Sequence, residues 1–302
     1  MRGEQKEFKS GFVTIVGLPN AGKSTLLNAL VGQKIAITSK KPQTTRGRAL
    51  GVLHEPEGQA VFVDTPGVNK PADKLDEFMQ KEVSSALQGI DAMLLVVDIR
   101  HKNRHIDSLI ERLAGSRQPL ILVLNKVDSL PTEQVFKAID IYKDKADFAD
   151  IVPVSAKTGR NLDELVKVIF DHLPPGPPYF DEETVTDQSE RKLVAEIIRE
   201  KALHHLEQEV PHGLAVVVDR MEFSRKFVHI DATIICERES HKKIMIGKGG
   251  TRLREIGSAA RYETEKLLEK KVYLKLWVKV SKKWRESDYL LKDYGYDKEN
   301  QE

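Results

Sequence analysis

The stretch Gly17-Leu18-Pro19-Asn20-Ala21-Gly22-Lys23-Ser24 constrains the chain more than any other. It matches G-x-x-x-x-G-K-S/T, a loop whose backbone N–H groups wrap a polyphosphate. The pattern carries weight only between a buried strand and a helix. Both flanks supply that context: Phe12–Val16 is a short apolar run, and Leu26, Leu27, Leu30 and Val31 recur at helical spacing after Thr25. The helix N-terminus adds donors and a favourable dipole. In such a loop Lys23 reaches the β and γ phosphates and Ser24 holds Mg²⁺.

Short apolar runs alternate with amphipathic segments across residues 11–173. The expected strands are Phe12–Val16, Ala49–Leu53, Ala60–Val63, Ala92–Val97, Leu120–Leu124 and Ile151–Val154. The expected helices are Ser24–Val31, Lys74–Gln88, Arg104–Ala114, Thr132–Lys145 and Leu162–His172. The strand runs are continuously apolar, as strands covered on both faces should be. This alternation predicts an α/β domain with a mostly parallel sheet and helices on both faces. Ligands of such sheets sit at the carboxyl ends of the strands.

A phosphate loop alone does not choose a base. Asn125-Lys126-Val127-Asp128 does, at the end of the Leu120–Leu124 run. The Asp128 carboxylate can accept from both N1–H and N2–H₂ of guanine, a donor pair that adenine lacks. Asn125 can brace loops or the base, and the Lys126 stem can pack over the ring. Ser155-Ala156-Lys157 follows Ile151–Val154 and offers a backbone N–H to guanine O6. Asp64-Thr65-Pro66-Gly67 follows Ala60–Val63: Asp64 can hold Mg²⁺ through water, and the Gly67 N–H can sense the γ-phosphate. In Pro42-Gln43-Thr44-Thr45-Arg46 a threonine can complete the Mg²⁺ shell. Thr45 is preferred over Thr44.

The ordered set from Gly17–Ser24 to Ser155–Lys157 resembles a translation-factor-related GTPase domain over residues 11–173. That resemblance implies a six-stranded mixed sheet flanked by helices. Directly after Gly67, where Ras-like proteins carry a water-orienting glutamine, this chain has Val68. Valine cannot position water through its side chain, so slow intrinsic hydrolysis that depends on another element is expected. Asn20 is a candidate K⁺ ligand, as in similar GTPases with an asparagine there, and K⁺ would supply the charge of an arginine finger. The other reading of Asn20, that it only braces the switch loop by hydrogen bonding, stands beside it.

Pro174-Pro175-Gly176-Pro177-Pro178 then stops the last helix, and acidic Asp181–Glu183 follows. Residues 174–188 read as a linker of limited flexibility between a first domain over 1–173 and a second over 189–302. The second domain reads as helix Ser189–Glu207, strands Leu214–Met221 and Phe227–Cys236, a helix from Ser240 broken at Gly247–Gly250 and resumed over Thr251–Leu268, strand Val272–Val280, and a short closing helix over Trp284–Leu291. Ile246-Gly247-Lys248-Gly249-Gly250 leads into Arg252 and Arg254, with Leu253 and Ile256 at supporting core positions. The spacing fits the G-x-x-G loop of a KH domain, where a nucleic-acid backbone approaches closely. The net charge of the whole chain is only +2, yet residues 241–283 carry 13 Lys/Arg against four Glu and no Asp. The helix-first order resembles a type II KH domain, a smaller α+β unit.

Other classes are disfavoured. With one cysteine, Cys236, there is no internal disulfide and no cysteine zinc cluster, and the nine histidines show no metal spacing. Met1–Ser10 has no apolar h-region, and the longest apolar runs fall far short of about 18 residues, so a cytoplasmic setting is expected.

GTPase motifs, a proline linker and a type II KH pattern together resemble the Era family of bacterial ribosome-assembly GTPases. Pro177-Pro178-Tyr179-Phe180, Thr186-Asp187-Gln188 and Val210-Pro211-His212 are also similar to that family. The resemblance implies a GTP/GDP switch that binds the 3′ end of 16S ribosomal RNA and aids 30S subunit maturation. It also implies peripheral association with the inner face of the cell membrane. A monomer is expected, with no DNA partner. A second hypothesis is a GTP-dependent RNA-binding scaffold in which turnover is incidental, motivated by Val68. A tRNA-modification or membrane-transport GTPase would need further catalytic groups or a spanning segment.

Overall fold

The computed structural model describes residues 7–39, 41, 44–66, 72–100, 105–205 and 213–296. The chain divides into two compact units. Met1–Ala36, Thr45–Val68 and Lys81–Asp187 make the first; Ile37–Thr44, Asn69–Gln80 and Gln188–Glu302 make the second.

In the first unit, strands β1 (Lys9–Val16), β2 (Ala49–Glu55), β3 (Gly58–Asp64), β4 (Ala92–Asp98), β5 (Leu120–Asn125) and β6 (Asp150–Val154) form one sheet in the order β2-β3-β1-β4-β5-β6. Only β2 with β3 is antiparallel, because the turn at Pro56-Glu57 is too short for a crossover. The other pairings are parallel. The helices are α1 (Lys23–Val31), α2 (Lys74–Ala86), α3 (His105–Ala114), α4 (Thr132–Tyr142) and α5 (Leu162–His172); α2 divides between the units after Gln80.

Alternate strand residues feed separate cores. Ile15, Phe62, Leu94 and Val123 pack with Leu26 and Leu27 of α1 and Leu165 and Ile169 of α5. Val16, Leu95 and Leu122 pack with Ile106 and Ile110 of α3 and Tyr142 of α4. Every position of β3 and β5 is therefore buried, which is why these strands read as unbroken apolar runs. The parallel register then sets Asp64, Asp98, Asn125 and the residues after Val16 and Val154 along one edge of the sheet.

The segment read as a linker is tied to this unit. The Pro174 carbonyl accepts from the Ser10 N–H at 3.1 Å, and Gln59 Oε1 accepts from the Tyr179 and Phe180 N–H groups at 2.7 and 3.0 Å. The Val52 N–H donates to the Val185 carbonyl at 2.9 Å, Thr186 Oγ1 to the Leu50 carbonyl at 2.6 Å, and the Leu50 N–H to Asp187 at 3.2 Å. β2 is an edge strand, and these bonds occupy backbone groups that an open edge would leave unpaired.

The second unit contains α6 (Glu190–His204), β7 (Ala215–Phe223), β8 (Phe227–Cys236), α7 (Glu239–Ile246), α8 (Thr251–Leu268), β9 (Lys271–Val280) and α9 (Asp288–Asp293). Its sheet runs β7-β8-β9, with β7 antiparallel and β9 parallel to β8. Ser189 caps α6 by accepting from the Lys192 N–H. That helix ends at His204; Leu206 and Glu207, expected within it, lie outside the described residues, as do Val210, Pro211 and His212. Val228, Ile230, Ala232 and Ile234 face inward onto Ile198 of α6 and Ile256 and Ala260 of α8. Cys236 lies in this core, where burial pushes its thiol up to about 12.

Two segments distant in sequence also belong here. Glu200 accepts from the Thr38 N–H at 2.9 Å, and the buried Arg199 donates to Glu196 and to the Thr44 carbonyl. Leu75 and Met79 pack with Ala215, Ile235, Trp284 and Leu291, while Arg285 bridges Asp73 and Glu237 at 2.7 and 3.0 Å. Lys74 pairs with Asp288.

Candidate functional site

The loop between β1 and α1 is held in a conformation that its glycines permit. Gly17 has φ 156° and Gly22 φ 102°. A Cβ on Gly17 would sit 2.5 Å from the Val96 carbonyl oxygen, and one on Gly22 would run into the Asn125 amide. Leu18, Pro19 and Asn20 form the outer turn, closed by the Ala21 N–H donating to the Leu18 carbonyl at 3.2 Å. Asn20 is exposed, with φ 63°. Thr25 lies half-buried in the first turn of α1.

Lys23 is only 7% exposed and donates to the Gly17 and Leu18 carbonyls at 3.1 and 3.3 Å. Burial pushes its ammonium below the ordinary value, and the Asp64 carboxylate opposes that shift. Asp64 is fully buried, and burial raises its carboxyl above the usual range against the pull of Lys23 and Ser24. Ser24 Oγ donates to Asp64 Oδ2 at 2.7 Å and lies 2.8 Å from Thr45 Oγ1, which is itself 3.5 Å from Asp64 Oδ2. Asp64 Oδ1 is buried without a hydrogen-bond partner. Convergent hydroxyl and carboxylate oxygens with spare acceptor capacity suit a hard divalent cation, so Ser24, Thr45 and Asp64 fit Mg²⁺. Thr44 turns elsewhere, donating to the Lys41 carbonyl at 2.7 Å. Thr65 Oγ1 donates to the Ile15 carbonyl at 2.9 Å, fixing Thr65 and Pro66 at the end of β3. Gly67 and Val68 lie outside the described residues, as do Pro42 and Gln43.

The residues expected to read the base form one braced set. Asn125 is 2% exposed; it donates to the Ala21 carbonyl at 3.0 Å and accepts from the Lys126 and Ala156 N–H groups at 2.8 and 3.1 Å. It therefore joins the phosphate loop to the Ser155–Lys157 loop. Ser155 Oγ donates to Asp128 Oδ1 at 2.7 Å, orienting the carboxylate. Val127 is buried beneath, and Lys157 is exposed. Lys126 takes φ 72° and donates to the Asn20 carbonyl at 2.6 Å and to Asp98 at 2.8 Å.

Asp98 was not anticipated as part of this site. It sits in register with Asn125 and accepts from Arg100 Nε and Nη2 at 2.9 and 2.7 Å. Burial works against its charge, yet the hydrogen bonds from Arg100 and Lys126 hold its carboxyl well below the usual carboxylate range. The available signal was a single aspartate closing an apolar strand at the ligand-bearing edge.

In the second unit, Gly247, Gly249 and Gly250 have φ of 74°, 61° and 77°. Their loop turns α7 into α8, with the Gly250 N–H donating to the Gly247 carbonyl at 3.2 Å. A Cβ on Gly247 would press on Arg252, whereas nothing lies within 4 Å of one on Gly249 or Gly250. Lys248 is exposed and Ile246 half-buried. Arg252 donates back to the Ile244 carbonyl at 3.0 Å, so its guanidinium is partly engaged; Arg254 faces a groove. That groove, about 320 Å³, is lined by Gly250, Leu253, Arg254, Gly257, Arg261 and Leu276 among others. Gly257 and Arg261 were not singled out in the sequence. A glycine in mid-helix costs about 1 kcal/mol against alanine, and that was the signal: the missing side chain leaves the groove open beside Leu276.

Two family models match the chain. Residues 12–126 match the family described as 50S ribosome-binding GTPase, and residues 209–285 match the KH domain family. The class so defined is a P-loop GTPase joined to a KH domain. The chain is 48% identical over 293 residues to GTPase Era of Clostridium botulinum strain Langeland, covering 96% of this chain and 99% of that protein. It superposes with a TM-score of 0.91, at 43% identity, on a crystal structure of Era in complex with MgGDPNP and nucleotides 1506–1542 of 16S ribosomal RNA. An Aquifex aeolicus Era variant bound to GDP·AlF₄⁻ gives 0.91 at 42% identity; each structure covers 96% of this chain. The chain belongs to the Era family of GTPases. It is a P-loop GTPase.

Proposed function

We propose that the chain is a GTP-hydrolysing switch that holds the 3′ end of 16S ribosomal RNA on its KH domain and assists 30S subunit maturation. The observation that carries this reading is the full-length match to Era bound to MgGDPNP and nucleotides 1506–1542 of 16S ribosomal RNA. The braced Asn125–Asp128 set and the open glycine loop in one chain support it.

Individual roles follow. Gly17 to Thr25, with Asp64 to Val68, hold the phosphates; Asn125 to Asp128, with Ser155 to Lys157, select guanine; Ser24, Thr45 and Asp64 face Mg²⁺. Lys23, Asn20, Thr45 and Gly67 serve the transfer step. Ile246 to Gly250, Arg252 and Arg254 meet RNA. By sequence the GTPase domain is assigned to 1–173 and the KH domain to 189–302, with 174–188 between them, while 37–44 and 69–80 group with the second unit and 174–187 with the first.

Asn20 is assigned as a K⁺ ligand, supported by its exposed side chain at the outer turn of the phosphate loop. Equal turnover in Na⁺ and K⁺ would contradict that assignment. The protein is read as a cytoplasmic monomer with peripheral membrane contact; among the described residues no helix is long and apolar enough to cross a membrane.

Coupling is tested by titrating the full chain with a 16S 3′-end oligonucleotide in GDP and in GDPNP. Tighter binding with GDPNP is expected. Equal affinity would leave the nucleotide without influence on RNA.

A further inference from the structure

The outer face of the second unit's sheet carries side chains that neither glycine loop uses. On β9 the residues Lys271, Tyr273, Lys275, Trp277 and Lys279 are exposed, while Leu274, Leu276 and Val278 pack inward. Tyr273 is 58% and Trp277 49% exposed. His229 of β8 lies in register with Tyr273, and the two rings stack at 5.1 Å with 17° between planes. Phe227 meets both edge-on, at 5.0 and 5.3 Å. The other end of this face, at Ala215 and Ile235, is covered by Trp284 and Leu291.

Lysines on an edge strand are ordinarily protection against pairing with another edge. That role does not account for two large rings left half in water between them. The face also has carboxylates: Glu222 pairs with Arg220 at 2.5 Å, Asp219 accepts from Thr233 at 2.7 Å, and Asp231 lies in register with Lys275. Lys271 is 3.6 Å from Glu265. Lys275 and Lys279 stand exposed on this face, on either side of Trp277.

Rings separated by cations along one strand suit single-stranded RNA, because every base has a face to stack and every linkage a phosphate to neutralise. Tyr273 and Trp277 are four residues apart, about 13 Å along the strand. The groove beside Gly250 is lined by Leu274 and Leu276 of the same strand. A KH loop clamps about four nucleotides, so a longer RNA continues past this edge.

We propose that the Tyr273–Trp277 face of β9 is a second single-stranded RNA contact, stacking bases that flank those held at Gly247–Gly250. It rests on the RNA-binding reading of the KH domain.

The test titrates the full chain with RNAs of about four and about twelve nucleotides sharing one core sequence. Joint substitution Tyr273→Ala and Trp277→Ala should weaken the longer RNA about 10- to 100-fold and change the shorter less than twofold. Tyr273→Phe should retain the wild-type length effect. Equal loss on both lengths, or loss on neither, overturns the proposal. If the unaltered protein fails to bind the short RNA, the KH reading itself fails; if it binds short and long RNA equally, only the second contact fails. A Trp277 fluorescence change with anionic phospholipid vesicles, without any RNA length effect, assigns the face to a membrane surface and also overturns it. Should the double variant unfold, Lys275→Glu must lower the salt dependence for the long RNA alone; an unchanged slope rejects the contact.

Discussion

The chain holds two glycine loops that are suited to phosphate in opposite ways. At Gly17–Ser24 the loop is closed on itself: Lys23 is buried, Asn125 bonds the Ala21 carbonyl, and Lys126 bonds the Asn20 carbonyl. At Gly247–Gly250 the loop is open, with Lys248 exposed and empty space around two of its glycines. A free nucleotide must be enclosed on several sides to be held and cleaved. A polymer backbone passes through and must be free to enter and leave. In the first loop glycine avoids collision with its neighbours; in the second, space lies open at Gly249 and Gly250, as the proposed RNA contact requires.

Substitutions can break that contrast. The largest effect is expected for Gly22→Ala, since the new methyl meets the Asn125 amide at a φ that disfavours side chains. Nucleotide affinity, read with a fluorescent GDP analogue, should fall at least 100-fold. Asp128→Asn comes next: it removes the charge and turns one of the two acceptor oxygens meant for guanine into an N–H donor, and should cost about 3 kcal/mol of GTP binding with the melting temperature nearly unchanged.

Asp98→Asn should follow, weakening GTP through the loss of the Lys126 brace. It also carries a pH signature. The folded-state carboxyl lies below its unfolded value, so its stabilisation is present above about pH 4 and is lost as pH falls below that. Acid titration of stability should thus be flatter in the variant; parallel curves would show that Asp98 is not charged against Arg100 and Lys126. The smallest effect on folding is expected for Gly249→Ala. Open space surrounds it, and only a strain of about 1 kcal/mol from its φ is added. RNA affinity should fall several-fold while GTP affinity stays level.

The same contrast shows what could be read from the sequence. Gly17–Ser24 and Asn125–Asp128 were legible because each packs its chemistry into consecutive residues at a strand end. Asp98 was not, because its role comes from the register of β4 beside β5 and a neighbour, Lys126, far along the chain. Adjacent threonines were also indistinguishable by type; direction separates them, with Thr45 toward Ser24 and Thr44 toward Lys41. The sheet order, with β1 between β3 and β4, follows no local pattern. Nor does the grouping of 37–44 and 69–80 with the second unit, which depends on Glu200, Arg199 and Arg285 far downstream. Basic charge over 241–283 was plain, but the division of β9 into a groove side and an aromatic side needed the partners of each residue.

The two loops are read as taking different ligands, RNA at Gly247–Gly250 and nucleotide at Gly17–Ser24. Replacing Lys248 and Gly249 together by aspartate puts negative charge where an RNA backbone would pass. Affinity for the 16S 3′-end oligonucleotide, and for GTP in the absence of RNA, is then measured on the same preparation. The account predicts RNA binding weakened at least 30-fold with GTP affinity within twofold of the unaltered protein. Undiminished RNA binding would contradict it.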